Sequence, residues 1–258
     1  MPNKGLSFFC LVLLFFHFIS CNRKETLFTS LSPSKTGIHF ANNLENKKLF
    51  NILYFLYYYN GGGVSTGDIN NDGLTDIYFT ANSKGNNKLY LNKGNFQFED
   101  ITAKAGVAGT SDWCTGVTMA DVNSDGLLDI YVSAVAKRYG LNGKNELFIN
   151  NGNNTFTESG AAYGLDFSGF TSQTAFFDYD RDGDLDCFIV NQSHHPHANV
   201  VDTIFRNKYD SLAGDRLFRN ELNTGQKKFK DVSKQAGIYQ SNLGYGLGLA
   251  IADLNNDG

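Results

Sequence analysis

The feature that most constrains this chain is a nine-residue, Asp-rich segment that occurs three times in full. Asp68-Ile-Asn70-Asn-Asp72-Gly73-Leu74-Thr-Asp76 returns as Asp121-Val-Asn123-Ser-Asp125-Gly126-Leu127-Leu-Asp129 and as Asp178-Tyr-Asp180-Arg-Asp182-Gly183-Asp184-Leu-Asp186. A fourth copy opens at Asp253-Leu-Asn255-Asn-Asp257-Gly258. Self-similarity on this scale marks a chain assembled from supersecondary units that cannot bury their own faces alone. It displaces the two-domain expectation that 258 residues would otherwise carry.

The flanks repeat with the loops. An aromatic stands eight residues before each of the last three, at Trp113, Phe170 and Tyr245, and short apolar approach segments such as Gly116-Val-Thr-Met-Ala and Gly248-Leu-Ala-Ile-Ala lead in. Ile77-Tyr-Phe, Ile130-Tyr-Val and Cys187-Phe-Ile-Val follow the complete loops. Leu89-Tyr-Leu-Asn92, Leu147-Phe-Ile-Asn150 and Leu217-Phe-Arg-Asn220 come next, and Phe98, Phe156 and Phe229 each precede a glycine by eight residues. Four short strands per unit predict an all-β chain of β-propeller blades, four-stranded antiparallel sheets carrying Asp-rich hairpin loops. Three blades and the start of a fourth over residues 37–258 fall short of a closed ring, so the expectation is an incomplete propeller, an N-terminal fragment.

Composition agrees. Hydrophobic residues at 41% and aromatics at 14% suffice for a packed core, and Asp supplies 20 of the 26 acidic residues, a choice that suits turns over exposed helices. A net charge of -4 gives no basic footprint for nucleic acid.

Alternate side chains of a tight loop can converge on one point, and a hard cation such as Ca²⁺ takes about 6 to 8 oxygens. Positions 1, 3, 5 and 9 supply them: Asp68, Asn70, Asp72 and Asp76; Asp121, Asn123, Asp125 and Asp129; Asp178, Asp180, Asp182 and Asp186; and Asp253, Asn255 and Asp257 in the partial copy. A backbone carbonyl is expected from position 7, Leu74, Leu127 or Asp184, and the glycine at position 6 permits the turn. Crowding so many carboxylates is unfavourable without a neutralising cation, which predicts calcium as cofactor; metal-free Asx-turn hairpins are the alternative.

The N-terminus reads differently. Lys4 precedes an apolar run from Leu6 to Ile19, short for a membrane span and suited to an export signal. It ends in Phe18-Ile-Ser20-Cys21, which resembles the lipobox of bacterial lipoproteins. The resemblance implies a signal peptide over 1–20, a tether over 21–36 and then the repeats, with Cys21 lipidated and the protein held on the bacterial cell envelope, at the outer membrane or cell surface; a plain secretory signal with a chance cysteine is the alternative.

Cys114 and Cys187 sit in apolar strand contexts and are either two buried thiols or one bridge. Gly63-Val-Ser65-Thr-Gly67 matches a nucleophile elbow in letters, yet occupies an approach strand where that elbow requires a strand-to-helix turn. No catalytic residue is assigned. His194-His195-Pro196-His197 lies in an insertion of the third unit and is either a ligand-contacting cluster or a plain polar loop; Arg206, Asp210, Asp215 and Arg216 share that insertion. Trp113, Phe170 and Tyr245, at one register, are expected to pack between blades.

The units resemble FG-GAP, or VCBS, repeats of integrin-type propellers. Gly37-Ile-His-Phe, Tyr59-Asn-Gly-Gly-Gly-Val, Asp76-Ile-Tyr-Phe-Thr and Phe98-Glu-Asp-Ile-Thr with Ala105-Gly106 resemble bacterial lipoproteins of the ASPIC/UnbV, cartilage-acidic-protein-like group. Gln173 replaces the first approach glycine in the third unit. The functional expectation is a calcium-stabilised binding scaffold whose partner is a glycan or a surface protein. The alternative is a calcium-dependent polysaccharide lyase or hydrolase using the His run, and a third reading is a purely structural subunit of a surface complex.

Overall fold

The computed structural model describes residues 26–45, 48–193 and 203–255. Contacts divide the chain into residues 1–32 and 33–258. The smaller unit has no helix or strand among its described residues, 26–32.

The larger unit holds three four-stranded antiparallel sheets, each built from strands consecutive in sequence. The first comprises β1 (Val64–Gly67), β2 (Asp76–Phe79), β3 (Lys88–Asn92) and β4 (Phe98–Asp100). The second comprises β5 (Cys114–Ala120), β6 (Asp129–Ala134), β7 (Glu146–Asn150) and β8 (Phe156–Glu158). The third comprises β9 (Thr171–Phe177), β10 (Asp186–Asn191), β11 (Arg216–Asn220) and β12 (Phe229–Asp231). Short helices α1 (Pro33–Thr36), α2 (Thr102–Ala105) and α3 (Gly160–Tyr163) and the 3-10 turns Thr203–Asn207 and Leu222–Thr224 accompany the strands, α2 and α3 each ending on a left-handed glycine, Gly106 and Gly164. These are blades of a β-propeller-like fold, as the repeats predict.

Each Asp-rich loop is the turn between the first two strands of a blade. Its last aspartate pairs with the residue just before its first: Gly67 with Asp76, Ala120 with Asp129, Phe177 with Asp186. One register in all three fixes which side chains face the neighbouring blade.

Between the first two blades lie Tyr78, Leu89, Val117, Ile130 and Phe148; between the second and third lie Tyr131, Leu147, Leu165, Ile189 and Phe218. Strand β6 is buried at all six positions because its sheet has a blade on either side, whereas β2 alternates buried and half-buried. The first strands meet near the blade junctions with almost no side chain between them. Gly63 N–H donates to Thr115 O at 2.6 Å, and Thr115 Oγ1 to Thr171 O at 2.7 Å. A Cβ on Gly116 would lie 2.7 Å from Ser172 O and closer still to Gln173 Oε1. Gln173 pairs with Val190 next to a register shift in the β9–β10 ladder, and Gly116 makes the room that its side chain needs.

Trp113 and Phe170 are buried, but in an aromatic cluster with Phe50, Phe55, Tyr57 and Tyr58 from the segment preceding β1. That segment, residues 48–60, is wound in successive turns and caps the aromatic ends of the blades. The inter-blade placement expected of these two residues is therefore only part of their role. Tyr245, at the same register, is 47% exposed, and its carbonyl accepts the Tyr57 hydroxyl at 2.7 Å. Among the described residues nothing pairs with 244–252 as a ladder, so this approach segment is not a strand. Cys114 and Cys187 are both buried and free, which resolves that alternative in favour of two thiols.

Candidate metal loops and the clamps around them

The three complete loops have one internal architecture. The carboxylate at position 1 accepts the N–H groups of positions 5 and 6: Asp68 from Asp72 (3.1 Å) and Gly73 (2.7 Å), Asp121 from Asp125 (3.1 Å) and Gly126 (2.8 Å), Asp178 from Asp182 (3.1 Å) and Gly183 (3.0 Å). The carboxylate at position 5 accepts from position 7, as Asp72 does from Leu74 N–H at 2.8 Å. Position 4 is left-handed in all three, with φ of 56° at Asn71, 57° at Ser124 and 62° at Arg181, and the glycine at position 6 follows at 82°, 86° and 92°. Two left-handed positions with one residue between them fold the chain back on itself and bring odd-numbered side chains to one side.

Position 9 is different in kind. Asp76, Asp129 and Asp186 are completely buried, and both oxygens of each are engaged by backbone N–H groups. Asp129 accepts from Val122 at 3.1 Å and Asn150 at 2.8 Å; Asp76 accepts from Ile69 and Asn92, and Asp186 from Tyr179 and Asn220. Burial, followed by the neighbouring loop carboxylates, outweighs these bonds and raises all three carboxyls: Asp129 to about 7, Asp186 to about 6, and Asp76 in the same direction. A cation beside them would reverse that shift by favouring the charged form.

The third loop is the richest in carboxylates, with five. One carboxylate oxygen from each of Asp178, Asp180 and Asp186 lies within 4.8 Å of the others, an all-oxygen donor set. Asp184 is 2% exposed; its Oδ2 accepts Asn223 N–H at 3.2 Å while its Oδ1 has no protein partner. In the first two loops position 3 is an amide, and Asn70 Nδ2 and Asn123 Nδ2 donate to the position-5 carboxylates at 3.0 and 2.9 Å. These loops carry two fewer carboxylates, at positions 3 and 7, but present a side-chain oxygen at the same positions 1, 3, 5 and 9. Of the partial fourth copy, Asp253 and Asn255 are exposed and joined by a 3.2 Å bond from Asn255 N–H to Asp253 Oδ1; Asp257 lies outside the described residues.

The residues that sequence reasoning left unassigned are Asn92, Asn150 and Asn220, the last residues of β3, β7 and β11. Besides giving a backbone N–H to the buried aspartate, each holds the position-8 carbonyl of its own loop through Nδ2: Thr75 at 2.8 Å, Leu128 at 3.1 Å and Leu185 at 3.1 Å. Their recurrence at one place in each repeat was the available signal.

The insertion between β10 and β11 resolves into structural roles where it is described. Arg216 is buried, donates to Asp210 O at 3.0 Å and lies over the Phe167 and Tyr209 rings. Asp215 accepts Asn191 N–H at 2.8 Å, the place that Asn87 and Asn145 fill in the other blades, and burial raises its carboxyl. Arg206 stacks on Tyr239 at 4.3 Å. Ser65 lies in β1, paired with Tyr78, with no helix following. His194, His195 and His197, on which the lyase alternative rests, lie outside the described residues, as does Cys21.

Comparison with known proteins agrees with the repeat architecture. An FG-GAP-like repeat family model matches residues 68–132 and 134–189. Cartilage acidic protein 1 of Xenopus tropicalis is 31% identical over 206 residues, covering 78% of this chain and 28% of that protein. The human protein of the same name is 30% identical over 207 residues, covering 78% and 27%. The chain thus spans little more than a quarter of these relatives. A solved structure, titled for recognition of non-reducing terminal N-acetylglucosamine by an Agrocybe aegerita lectin, covers 69% of this chain and 38% of its own at 17% identity, with a TM-score of 0.33, too low to inform fold or ligand. With the blade topology, the loop register and the repeat match in agreement, the chain belongs to the FG-GAP repeat proteins, in the ASPIC/UnbV-like group to which cartilage acidic protein 1 is related.

Proposed function

We propose that this propeller is an interaction scaffold whose loops bind calcium, and that it works on the outside of the cell from a lipid anchor at Cys21. The observation that carries the calcium reading is the convergence of Asp178, Asp180 and Asp186 oxygens within 4.8 Å, in a loop whose hydrogen bonding is repeated in the other two. Asp68, Asn70, Asp72 and Asp76 would hold one ion, Asp121, Asn123, Asp125 and Asp129 a second, Asp178, Asp180, Asp182 and Asp186 a third. The ion supplies charge neutralisation. The protein's own contribution is to hold each hairpin at the junction of two blades, so that loop order and blade packing rise and fall together.

A scaffold reading follows from where the polar chemistry is spent. The arginines and aspartates described in the insertion are consumed in packing, which leaves the loop faces as contact surfaces for a glycan or a surface protein. The deciding experiment is a calorimetric calcium titration of the full chain, paired with thermal melts in calcium and in chelator. Saturable binding and a higher melting temperature in calcium are expected. A folded protein indifferent to both overturns the reading and returns the loops to ordinary Asx turns.

A further inference from the structure

Residues 49–59, Leu-Phe-Asn-Ile-Leu-Tyr-Phe-Leu-Tyr-Tyr-Tyr, contain one polar side chain, and the fold divides the rest between two faces. Phe50, Phe55, Tyr57 and Tyr58 are buried with Trp113 and Phe170. Leu49 (71% exposed), Leu53 (79%), Tyr54 (52%), Tyr59 (65%) and, less so, Leu56 face outward. A soluble surface rarely concentrates large apolar side chains in this way without a partner.

The outer face is held rigidly. Asn51 closes its first turn, accepting Leu53 N–H at 3.0 Å, and the Tyr139 hydroxyl donates to Tyr54 O at 2.6 Å. Tyr139 also brings charge to the patch: the Arg138 guanidinium lies 5.0 Å from its ring centroid, and Lys137 beside it is exposed. Lys48, also exposed, precedes Leu49, and Lys47 precedes it in sequence. Leucine and tyrosine rimmed by lysine and arginine is the composition of a surface that sinks shallowly into the headgroup boundary, with aromatic rings at the polar interface and cations at anionic lipid. No helix among the described residues is long and apolar enough to span a bilayer, so such contact is peripheral.

We propose that the outer face of residues 49–59, with its Lys48, Lys137 and Arg138 rim, rests on an anionic lipid bilayer and sets the orientation of the propeller on the membrane. This deepens the envelope reading given above and rests on it, in that a lipid at Cys21 would hold the chain at a membrane.

The test uses the full chain carrying Leu53→Trp, with vesicles of phosphatidylethanolamine and phosphatidylglycerol, with and without brominated acyl chains, against phosphatidylcholine alone. Trp113, the one native tryptophan, is buried and contributes a constant background. Emission from position 53 should shift to the blue and be quenched by the brominated lipid on anionic vesicles, and Lys48→Ala should weaken that partition by about fivefold. A chain that floats with the vesicles while position 53 keeps its aqueous emission overturns the proposal, leaves the anchor reading standing and assigns the patch to a protein partner. If Cys21→Ser leaves both envelope attachment in cells and the quenching unchanged, the anchor reading falls and the membrane face stands.

Discussion

Asn150 Nδ2 donates a 2.8 Å hydrogen bond to the carbonyl of Ile69, the second residue of the Asp-rich loop in the preceding blade. Asn220 does the same one blade on, reaching Val122 O at 3.1 Å. Because each asparagine also holds the position-8 carbonyl of its own loop, two successive loops are tied through one side chain. Loop geometry and blade-to-blade packing are thereby one cooperative unit.

Removing that tie should cost more in the middle of the array than at its start. Asn150→Ala loses bonds to Ile69 O and Leu128 O, together with the Gly152 N–H that its Oδ1 accepts at 2.9 Å, and should destabilise by about 2 to 3 kcal/mol. Asn92→Ala, whose amide bonds only within its own blade, should cost about 1 kcal/mol. Denaturant melts of the two variants decide it; equal losses would mean the cross-blade bond contributes nothing.

Acid should act on the buried position-9 carboxyls. Asp129 is raised to about 7 against an ordinary value of about 3.9, so the native state holds a proton that the unfolded chain has released between those limits. Its stabilising contribution is full below about 4 and is lost as pH rises through 7, with Asp186, raised to about 6, adding in the same direction. In chelator, stability should therefore fall from pH 5 to pH 8, and saturating calcium should flatten that slope. A melt series in both conditions that shows parallel slopes would contradict the coupling.

The third loop should be the one whose affinity can be lowered selectively. Asp180→Asn replaces one of its two extra carboxylates, the other being Asp184, with the amide found at Asn70 and Asn123. The expected outcome is weaker calcium binding at one site with the others intact, read as one shifted step in a calorimetric titration. Asp186→Asn should instead disturb folding, because one of the two backbone N–H groups that its carboxylate accepts would face an amide NH₂.

Close approach of the first strands predicts an intolerance that has nothing to do with metal. In Gly116→Ala the new methyl would meet Ser172 O at 2.7 Å and the Gln173 side chain, so a loss of roughly 1 to 3 kcal/mol is expected. Adding Gln173→Ala should recover only part of it, since the backbone oxygen stays in place. Full recovery in a thermal melt would show that the side chain alone sets the spacing.

What the sequence determined by itself was the local geometry that recurs. Periodic Asp, Gly and aromatic positions report local geometry, such as a left-handed turn at Gly73, Gly126 or Gly183, and local geometry is the same in each blade; four-stranded units, loop stations and strand order were legible for that reason. What only the tertiary structure decided lies where different units meet. The burial of Asp76, Asp129 and Asp186, and with it their raised carboxyls, comes from neighbouring strands and blades closing over position 9, which no spacing within one loop encodes. The cap of residues 48–60 belongs to no repeat, so periodicity was silent about it, and its aromatic run could be divided into an inner and an outer face only once Trp113 and Phe170 were placed beneath it. Packing between units is a long-range property of the chain, and a pattern read one segment at a time does not contain it.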